Sequence, residues 1–435
     1  MSFTDILSKH WEYSSGVYSV CSANHFVIEA AMLQAQRDKS ILLIEATSNQ
    51  VDQFGGYTGM TPADFIFYVR KIADKMRFPA SRIVFGGDHL GPNVWQNEAP
   101  QIAMGHARDQ IAAYVKAGFI KIHLDASMHL KGDKKERHRP LNCAVVAQRT
   151  AELCAASEKA AKALGNKSGA PVYVIGTDVP IPGGATETLR DVHVTTVEEV
   201  KETLQLTREA FYQKGLQDAW QRVIAVVVQP GVEFSHSNVF EYDSARASAL
   251  TALVSGFRPI LYEAHSTDYQ TGVALRQMVN DHFAILKVGP GLTFVMREAF
   301  FALAAVEKEW LGAKKHVQLS NLVDLIDQVM SRNNKYWYKH YTGEPDEIRI
   351  ARFYSYSDRI RYYWPMEDIQ RSVNKLFHNL TKNPPPLNLL SQFLPDQYYA
   401  VRNKLIENTP VAHLYNNICR VLGEYAKAAR MTTVD

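Results

Sequence analysis

The sequence predicts an α/β protein, a (β/α)8 barrel followed by a helical C-terminal extension. Eight short apolar runs are each followed by small or polar residues and then by a longer helix-like segment. Runs rich in Val and Ile and nearly continuous in hydrophobicity are typical of strands covered on both faces. Eight strands alternating with helices over roughly 300 residues form the pattern of this barrel. The alternative is an open doubly wound sheet, which the lack of a G-x-G-x-x-G motif after the first run disfavours.

The predicted strands and helices follow one another in order. The strands are Val17–Val20, Ile41–Glu45, Ile83–Phe85, Ile120–Leu124, Val172–Ile175, Val223–Val228, Pro259–Tyr262 and Ala284–Val288. Thr61–Asp64 combines an N-cap, a proline at the first helical position and an acid in the first turn. Thr196–Glu199 matches a capping box. A further helix is predicted from Pro100 to about Gly118, because glycine commonly ends a helix.

The strand signal fades after residue 311. Leu322–Met330 has helical spacing, and two aromatic clusters follow at Tyr336–Tyr338 and Phe353–Trp364. We therefore divide the chain into a barrel domain, residues 1–311, and a helical extension packed on it, residues 312–435. The aromatic side chains of the extension are predicted to lie mainly in the core or in subunit contacts.

Composition and charge are typical of a soluble globular protein. Hydrophobic residues make up 46% of the 435 residues, and the net charge of +3 is too small to indicate a nucleic-acid partner. No run of ~18 apolar residues predicts a membrane span. The N-terminus lacks the features of a signal peptide, so we expect a cytoplasmic protein. The four cysteines contain no C-x-x-C pair, so neither a zinc knuckle nor a disulfide is expected.

Polar residues follow nearly every predicted strand, and in a (β/α)8 barrel these strand ends form the active site. The stretch FGGDHLGPN places Asp88 beside His89 after the third strand, and Glu263-Ala-His265 follows the seventh. Imidazole and carboxylate ligands suit Zn²⁺ or a similar ion, which could polarise a sugar carbonyl. Asp88 could then carry the proton. We expect strand alternation to give Asp88 and His89 different tasks, and the glycines to let the substrate approach the backbone.

Other strand ends provide further candidates. Glu45 and Asp125 are predicted to act in catalysis or to order the site. His123 and His236 are more simply interpreted as hydrogen-bonded core or turn residues. Barrels often hold phosphate on backbone N–H groups after the last two strands, although glycines there can also serve tight turns. The predicted substrate- and phosphate-binding residues are Asn49, Gln50, Ser266, Lys287, Gly289 and Gly291.

Five long segments resemble the GatZ/KbaZ family, the Z-type subunits of class II tagatose-1,6-bisphosphate aldolase. They are Ile44–Asp64, Gly86–Asn93, Lys121–Ser127, Tyr262–Thr271 and Asp358–Pro365. The resemblance runs along almost the whole chain and implies a barrel protein of galactitol, N-acetylgalactosamine or tagatose catabolism. The family also carries the label tagatose-6-phosphate kinase, but the sequence has no G-x-x-x-x-G-K-[ST] loop to support that activity.

The resemblance to class II aldolases implies roles for individual residues. Asp88 and His89 resemble the catalytic acid and the first metal histidine, and His265 resembles a later metal histidine. After the sixth strand, Gln229-Pro-Gly231 stands where that pattern has His-Gly. We therefore expect a divalent ion, Zn²⁺ above others, on His89, His265 and a substitute ligand. The candidates for that ligand are Asp178, Glu233, His236 and Glu263.

Two functions stay open on the sequence alone. The first is a metal-dependent 4-epimerase that interconverts tagatose 6-phosphate and fructose 6-phosphate, which differ in configuration at C4. The second is a non-catalytic subunit that stabilises a Y-type aldolase subunit, as the missing histidine and the aromatic extension favour. The expected partners are a sugar phosphate, a Y-type subunit and further copies of this chain. Neither nucleic acid nor a membrane is expected.

Overall fold

Eight parallel strands close into a barrel in the computed structural model, which describes residues 2–133, 140–165, 169–176 and 191–431. Each strand pairs with the next and the last pairs with the first, so this sheet has no free edge. The predicted (β/α)8 barrel with a helical C-terminal region is thereby confirmed. The barrel strands β1 to β8 are Val17–Val20, Leu42–Thr47, Ile83–Leu90, Lys121–Leu124, Val172–Gly176, Val223–Val227, Leu261–Ala264 and Phe283–Val288.

Helices surround the barrel and build the C-terminal region. In chain order, α1 to α17 are Phe3–Ser8, His10–Tyr13, His25–Arg37, Pro62–Met76, Pro100–Ala117, Cys143–Leu164, Val197–Gln213, Gln217–Trp220, Ser244–Val254, Gly272–Asn280, Pro290–Leu311, Leu322–Arg332, Pro345–Tyr354, Glu367–Lys382, Leu387–Phe393, Pro395–Arg402 and Pro410–Ala428. Short 3₁₀ turns span Gly56–Thr58, Ala80–Arg82, Pro92–Trp95, Ser255–Phe257 and Arg359–Tyr362, and a hairpin pairs Glu233–Phe234 with Val239–Phe240. Within the described ranges, no helix is both long and apolar enough to cross a membrane.

Local signals set the helix ends as expected. Thr61 and Asp64 form a reciprocal capping box at the start of α4, and Thr196 and Glu199 do the same for α7. Gly118 ends α5 with a φ of 107°, a left-handed conformation that favours glycine. The strands are buried on both faces because the barrel interior lies on one side and the helices on the other, which explains their continuous hydrophobicity.

The C-terminal region packs tightly on the barrel. Helix α17 lies against α3, α10 and α11. Its Tyr425 hydroxyl donates to the Thr267 carbonyl over 2.7 Å, directly after β7. Trp364 is buried and packs against Phe300 of α11. The extension therefore covers the same side of the barrel as the loops that follow the strands. The division into a domain of residues 1–311 and an extension of residues 312–435 stays a prediction.

Candidate functional site

The barrel interior holds a buried cluster of charged side chains near the carboxyl ends of the strands. Asp88, His89, His265 and Lys287 of this cluster line a cavity of about 390 Å³. The other members lie beneath them and are at most 1% exposed. We call the whole cluster the floor; it comprises Glu45, Asp88, His89, Lys121, His123, Asp125, Glu263, His265 and Lys287.

An irregularity in β3 places both Asp88 and His89 in the floor. The strand continues to Leu90, five residues beyond its predicted end, and its register with β4 shifts between Gly87 and Leu90. His89 has a φ of 49°, so the regular alternation of side chains is broken there. The expectation that alternation alone separates the two neighbours is wrong. The irregular strand instead turns an acid and an imidazole toward the same cavity.

The glycines around this pair make room for the protein's own atoms. A Cβ at Gly86 would come within 2.7 Å of the Glu45 side chain, and a Cβ at Gly91 would lie 1.7 Å from the Asp125 carbonyl oxygen. The expectation that they admit substrate is therefore replaced by a packing role. At both positions any larger side chain would displace a floor residue.

Two lysines tie the floor carboxylates together. The Lys121 ammonium lies 2.7 Å from Glu45 and 2.6 Å from Glu263, and all three side chains are fully buried. The Lys287 ammonium lies 2.5 Å from Glu45 and 2.9 Å from Asp88. Glu45 also accepts from the Ser19 hydroxyl over 2.7 Å. Glu45 therefore holds the two lysines in place by its charge, and it does not line the cavity.

The carboxylates also set the protonation of this cluster. Burial alone would raise the pKa of Asp88, but Lys287 and His89 hold it well below its usual value. Burial alone would lower the pKa of Lys287, yet the carboxylates of Asp88, Glu45 and Glu263 hold it well above its usual value. Lys287 is thus a charged hydrogen-bond donor at neutral pH, which argues against a role as an imine-forming nucleophile.

A chain of hydrogen bonds links the site histidines. Asp125 contacts His89 Nδ1 at 2.8 Å, His89 Nε2 contacts His265 Nδ1 at 3.1 Å, and His265 Nε2 contacts Glu263 at 2.9 Å. Burial opposes a charge on His89, but Asp88 and Asp125 raise its pKa. Burial lowers the pKa of His265 to about 3. Asp125 and Glu263, at the two ends of this chain, therefore orient the two imidazole rings.

Asp125 positions His89 and does not line the cavity. Its second oxygen accepts from the Ser127 hydroxyl over 2.7 Å and from the Ser127 amide over 3.1 Å. Asn93 donates to the oxygen that faces His89 over 2.9 Å. These bonds fix the carboxylate, so Asp125 orders the site through His89 and has no direct contact with the cavity.

Four floor residues could hold a divalent metal ion. One ligand atom from each of Asp88, His123, Glu263 and His265 lies within 4.8 Å of the others. Two imidazoles and two carboxylates suit Zn²⁺ and related ions. The His123 Nδ1 atom accepts from the His89 amide over 3.1 Å and contacts Asp88 at 3.0 Å, while its buried Nε2 atom has no hydrogen-bond partner among the described residues. A buried nitrogen without a partner is a fitting metal ligand when contacts at the opposite nitrogen orient the ring.

The charge of the floor also favours a cation. Four carboxylates, Glu45, Asp88, Asp125 and Glu263, face two ammonium groups, Lys121 and Lys287. The difference leaves two negative charges for the histidines and any bound ion to balance. A buried excess of negative charge is costly without such compensation.

The structure brings together only some of the predicted metal ligands. His265 and Glu263 belong to the metal-capable group. His89 is not part of this group, although its Nε2 atom lies 3.1 Å from His265 Nδ1 and 3.9 Å from Asp88. Asp178 lies outside the described residues. His123, interpreted from sequence as a core residue, takes the place expected for a third ligand. The sequence held a signal for this role of His123. Lys121 and His123 are two residues apart on one strand, so both side chains point to the same face, the barrel interior.

Glu233 and His236, the remaining candidates for the substitute ligand, are not part of the metal-capable group. Gln229, which stands where the aldolase pattern has histidine, is not part of it either. Gln229 Oε1 accepts from the amides of Gly231 and Val232 over 2.9 and 3.0 Å, which stabilises its own turn. Glu233 accepts from the Phe234 amide over 2.9 Å, and burial raises its pKa to about 7. His236 Nδ1 contacts the Ser355 hydroxyl at 3.3 Å, and its ring packs edge-on against Tyr341.

The predicted phosphate residues are only partly available. The amides of Gly289 and Gly291 donate to Asp268 Oδ1 over 2.9 and 2.7 Å, so they are occupied by the protein's own carboxylate. Lys287 is bound into the floor. Ser266, with a φ of 53°, lines the cavity, and so do Asn49 and Gln50. The Gln50 side chain accepts from the Thr47 amide over 3.0 Å and donates to the Cys21 carbonyl over 3.4 Å. The expected phosphate site on backbone amides after β8 is thus corrected, because Asp268 already caps the start of α11.

The C-terminal extension completes the cavity. Arg361, Tyr362, Trp364, Pro365 and Gln370 line it together with the strand-end loops. The sequence assigned the aromatic residues of this segment to the core or an interface. Trp364 is buried in the core, yet Tyr362 packs edge-on against Tyr57 of the loop after β2 at 4.9 Å.

Comparisons with known proteins give a family match and a similar solved structure. The family model for D-tagatose-1,6-bisphosphate aldolase subunit GatZ/KbaZ-like proteins matches residues 3–430. The crystal structure of a probable tagatose 6 phosphate kinase from Sinorhizobium meliloti 1021 is 44% identical, with a TM-score of 0.86. That match covers 95% of this chain and 100% of the other chain. The YdjI aldolase from Escherichia coli K12 is 10% identical with a TM-score of 0.41, covering 87% and 97% of the two chains, a likeness too weak to support any inference.

The family model spans nearly the whole chain, including the extension that closes the cavity. The resemblance noted in the five sequence segments is therefore confirmed. The chain belongs to the D-tagatose-1,6-bisphosphate aldolase subunit GatZ/KbaZ-like family.

Proposed function

We propose that the protein is a metal-dependent sugar-phosphate enzyme that interconverts fructose 6-phosphate and tagatose 6-phosphate by inverting C4. One observation carries the proposal: a metal-capable group of imidazoles and carboxylates lies at the base of a cavity that also exposes Asp88. This is the chemistry that a class II aldolase-like reaction requires. The family membership supports an aldolase-related role.

Under this proposal His123, Glu263 and His265 would hold the ion, most simply Zn²⁺, and Asp88 would move the proton. A bound divalent cation supplies Lewis-acid polarisation of a substrate carbonyl. Asp88 takes the proton of the C4 hydroxyl as the C3–C4 bond breaks, and returns it after the bond re-forms on the other face of the aldehyde. Lys287 and His89 lower its pKa, so the carboxylate is ionised before substrate binds. Lys287, 2.9 Å away, donates to this carboxylate and fixes its position.

Incubation of the purified protein with either sugar phosphate tests the reaction. With Zn²⁺, Mn²⁺ or Mg²⁺ present, we expect NMR to show conversion of each C4 epimer into the other. Chelator-treated protein serves as the control and should be inactive. Lack of exchange with all three ions would contradict the proposal.

Zn²⁺ binding can be tested apart from turnover. His123→Ala is expected to weaken Zn²⁺ binding by at least about 100-fold, because loss of even an outer partner of a metal ligand costs 10- to 100-fold. His316→Ala, at an exposed histidine after α11, is the matched control and should bind as the unaltered protein does. The measurement is competition with a chromogenic chelator. Equal affinity in both variants would remove His123 from the metal site.

A non-catalytic role as the stabilising partner of a Y-type aldolase subunit is the second candidate. Two observations favour it: Gln229 of the turn after β6 is tied into its own loop, and the matching family is described as an aldolase subunit. A protein that exchanges no C4 epimer but raises the activity of a co-purified aldolase would establish this role. The two functions are compatible, because a barrel with a working site can also act as a subunit.

A further inference from the structure

The cavity has a cation that the floor does not neutralise. Lys287 and Arg361 are the lysine and arginine side chains that line it in the described part of the chain. Lys287 is bound to Asp88 and Glu45. Arg361 has hydrogen bonds only with neutral groups: the carbonyls of Ser357 and Asp358, the latter at 3.1 Å, and the Tyr362 hydroxyl at 2.9 Å. Among the described residues no carboxylate lies within 4.0 Å of its guanidinium, and the carboxylates of Asp268 and Asp358 interact with its charge from farther away.

The segment that carries Arg361 is held firmly in place. Thr293 of α11 donates to Asp358 over 2.5 Å, and Asp358 adopts a φ of 43° at the start of the 3₁₀ turn. Arg359, which precedes the cavity residues, donates to the Tyr336 carbonyl over 2.9 Å. Gln370 of α14 donates to the Trp364 carbonyl over 2.7 Å. The backbone on both sides of Arg361 is therefore anchored before any ligand binds.

The side chain itself is also restrained. The guanidinium carbon lies 4.5 Å from the centre of the Tyr362 ring, and Tyr362 contacts Tyr57 edge-on across the cavity wall. Stacking on an aromatic ring and bonding to two carbonyls fix the plane of the guanidinium. A fixed guanidinium matches the geometry of phosphate oxygens and loses little conformational entropy on binding.

From this arrangement we infer that Arg361 is the phosphate-binding residue of the cavity, so that the C-terminal extension supplies the anchor for a phosphorylated sugar. The inference rests on the proposed function, because it assigns the charged end of the same substrate. Arg361 takes the role that the sequence assigned to the amides of Gly289 and Gly291, which donate to Asp268 instead. The floor then faces the carbon chain of the sugar while the extension holds its phosphate.

Equilibrium binding tests this assignment without turnover. Arg361→Met is expected to weaken the binding of fructose 6-phosphate by roughly 10- to 100-fold, the loss typical of hydrogen bonds to a charged group. Arg361→Lys keeps the charge but loses the planar guanidinium, so its affinity should lie between those of the unaltered protein and Arg361→Met. Arg371→Met is the control with the same change in net charge, because Arg371 is 62% exposed and pairs with Glu367 and Asp368. It should bind as the unaltered protein does.

Further ligands separate phosphate recognition from sugar recognition. Inorganic phosphate should compete with fructose 6-phosphate in the unaltered protein and in Arg371→Met, and much less in Arg361→Met. Unphosphorylated fructose should bind equally to all variants. Thermal unfolding checks that Arg361→Met is folded. If it is not folded, the affinity of Arg361→Lys tests the contribution of the guanidinium. Unchanged affinity of both Arg361 variants for fructose 6-phosphate would overturn the inference.

The same data separate the inference from the proposed reaction. Loss of phosphate-dependent binding in Arg361→Met, in a protein that shows no C4 exchange, would uphold the anchor and overturn the reaction. C4 exchange by the unaltered protein, together with unchanged affinity of Arg361→Met for fructose 6-phosphate, would uphold the reaction and overturn the anchor. An unaltered protein that binds neither fructose 6-phosphate nor inorganic phosphate would overturn both.

Discussion

Asp88→Asn is expected to lower the rate of C4 exchange by about 100- to 10,000-fold, the range typical of a lost general acid or base. Asparagine has nearly the same shape but cannot accept the proton of the C4 hydroxyl. It also removes a negative charge that Lys287 and His123 contact at 2.9 and 3.0 Å. The variant should fold, because Lys287 keeps its bond with Glu45. The measurement is the exchange rate by NMR, with thermal unfolding as the check on folding.

Asp243→Asn provides the matched control. Asp243 caps α9 by accepting from the Ala245 amide over 2.9 Å, and asparagine serves as an N-cap equally well. Asp243 belongs neither to the floor nor to the cavity lining, so this variant makes the same chemical change outside the site and should keep full activity. A folded Asp88→Asn protein that exchanges the epimers at the unaltered rate would contradict the role of Asp88 as the proton carrier.

Lys121→Met is expected to destabilise the fold by about 3–5 kcal/mol, the cost of breaking a buried ion pair by removing one partner. The Lys121 ammonium separates Glu45 from Glu263, and none of these side chains is exposed. Its loss leaves two buried carboxylates facing each other. The shift in the midpoint of denaturant unfolding measures the effect.

Two further variants show whether this loss is electrostatic. Lys427→Met removes a lysine that is 73% exposed and pairs with Glu424, so its effect should stay within about 0.5 kcal/mol. Adding Glu263→Gln to Lys121→Met removes one of the opposed charges and should recover part of the lost stability. A double variant less stable than Lys121→Met would mean that packing, and not repulsion, dominates at this position.

Much of the architecture could be predicted because its signals are local. The run Val172–Gly176 and the capping pair Thr61 and Asp64 describe a strand and a helix start by themselves. Barrel closure then follows from the number and alternation of such elements. The third strand was predicted too short, since its polar and glycine-rich end, Gly86–Leu90, lacks the hydrophobicity on which the prediction relied.

The site could be predicted only in outline. Asp88, His265 and Glu263 stood out because they follow apolar strands, and the structure brings them together. His123 belongs to the metal-capable group and His89, which was expected there, does not; His89 lies instead in the irregular end of β3 and contacts Asp125 and His265. Asp358–Pro365 stood out only as a family-like segment, and no local feature placed Arg361 in a cavity of a barrel whose strands ended some 70 residues earlier.

The sequence by itself determined the barrel, the helix starts, the family and the strand ends that carry the chemistry. Each of these depends on neighbours within a few residues or on a pattern repeated along the chain. The tertiary structure alone decided which side chains meet. Glu45 and Lys287 bond across 242 residues of sequence, Lys121 joins two strands that are not adjacent, and the extension brings Arg361 over the floor. Such contacts arise from closure of the barrel and from the covering of its mouth, and electrostatic pairing at that distance leaves no local trace.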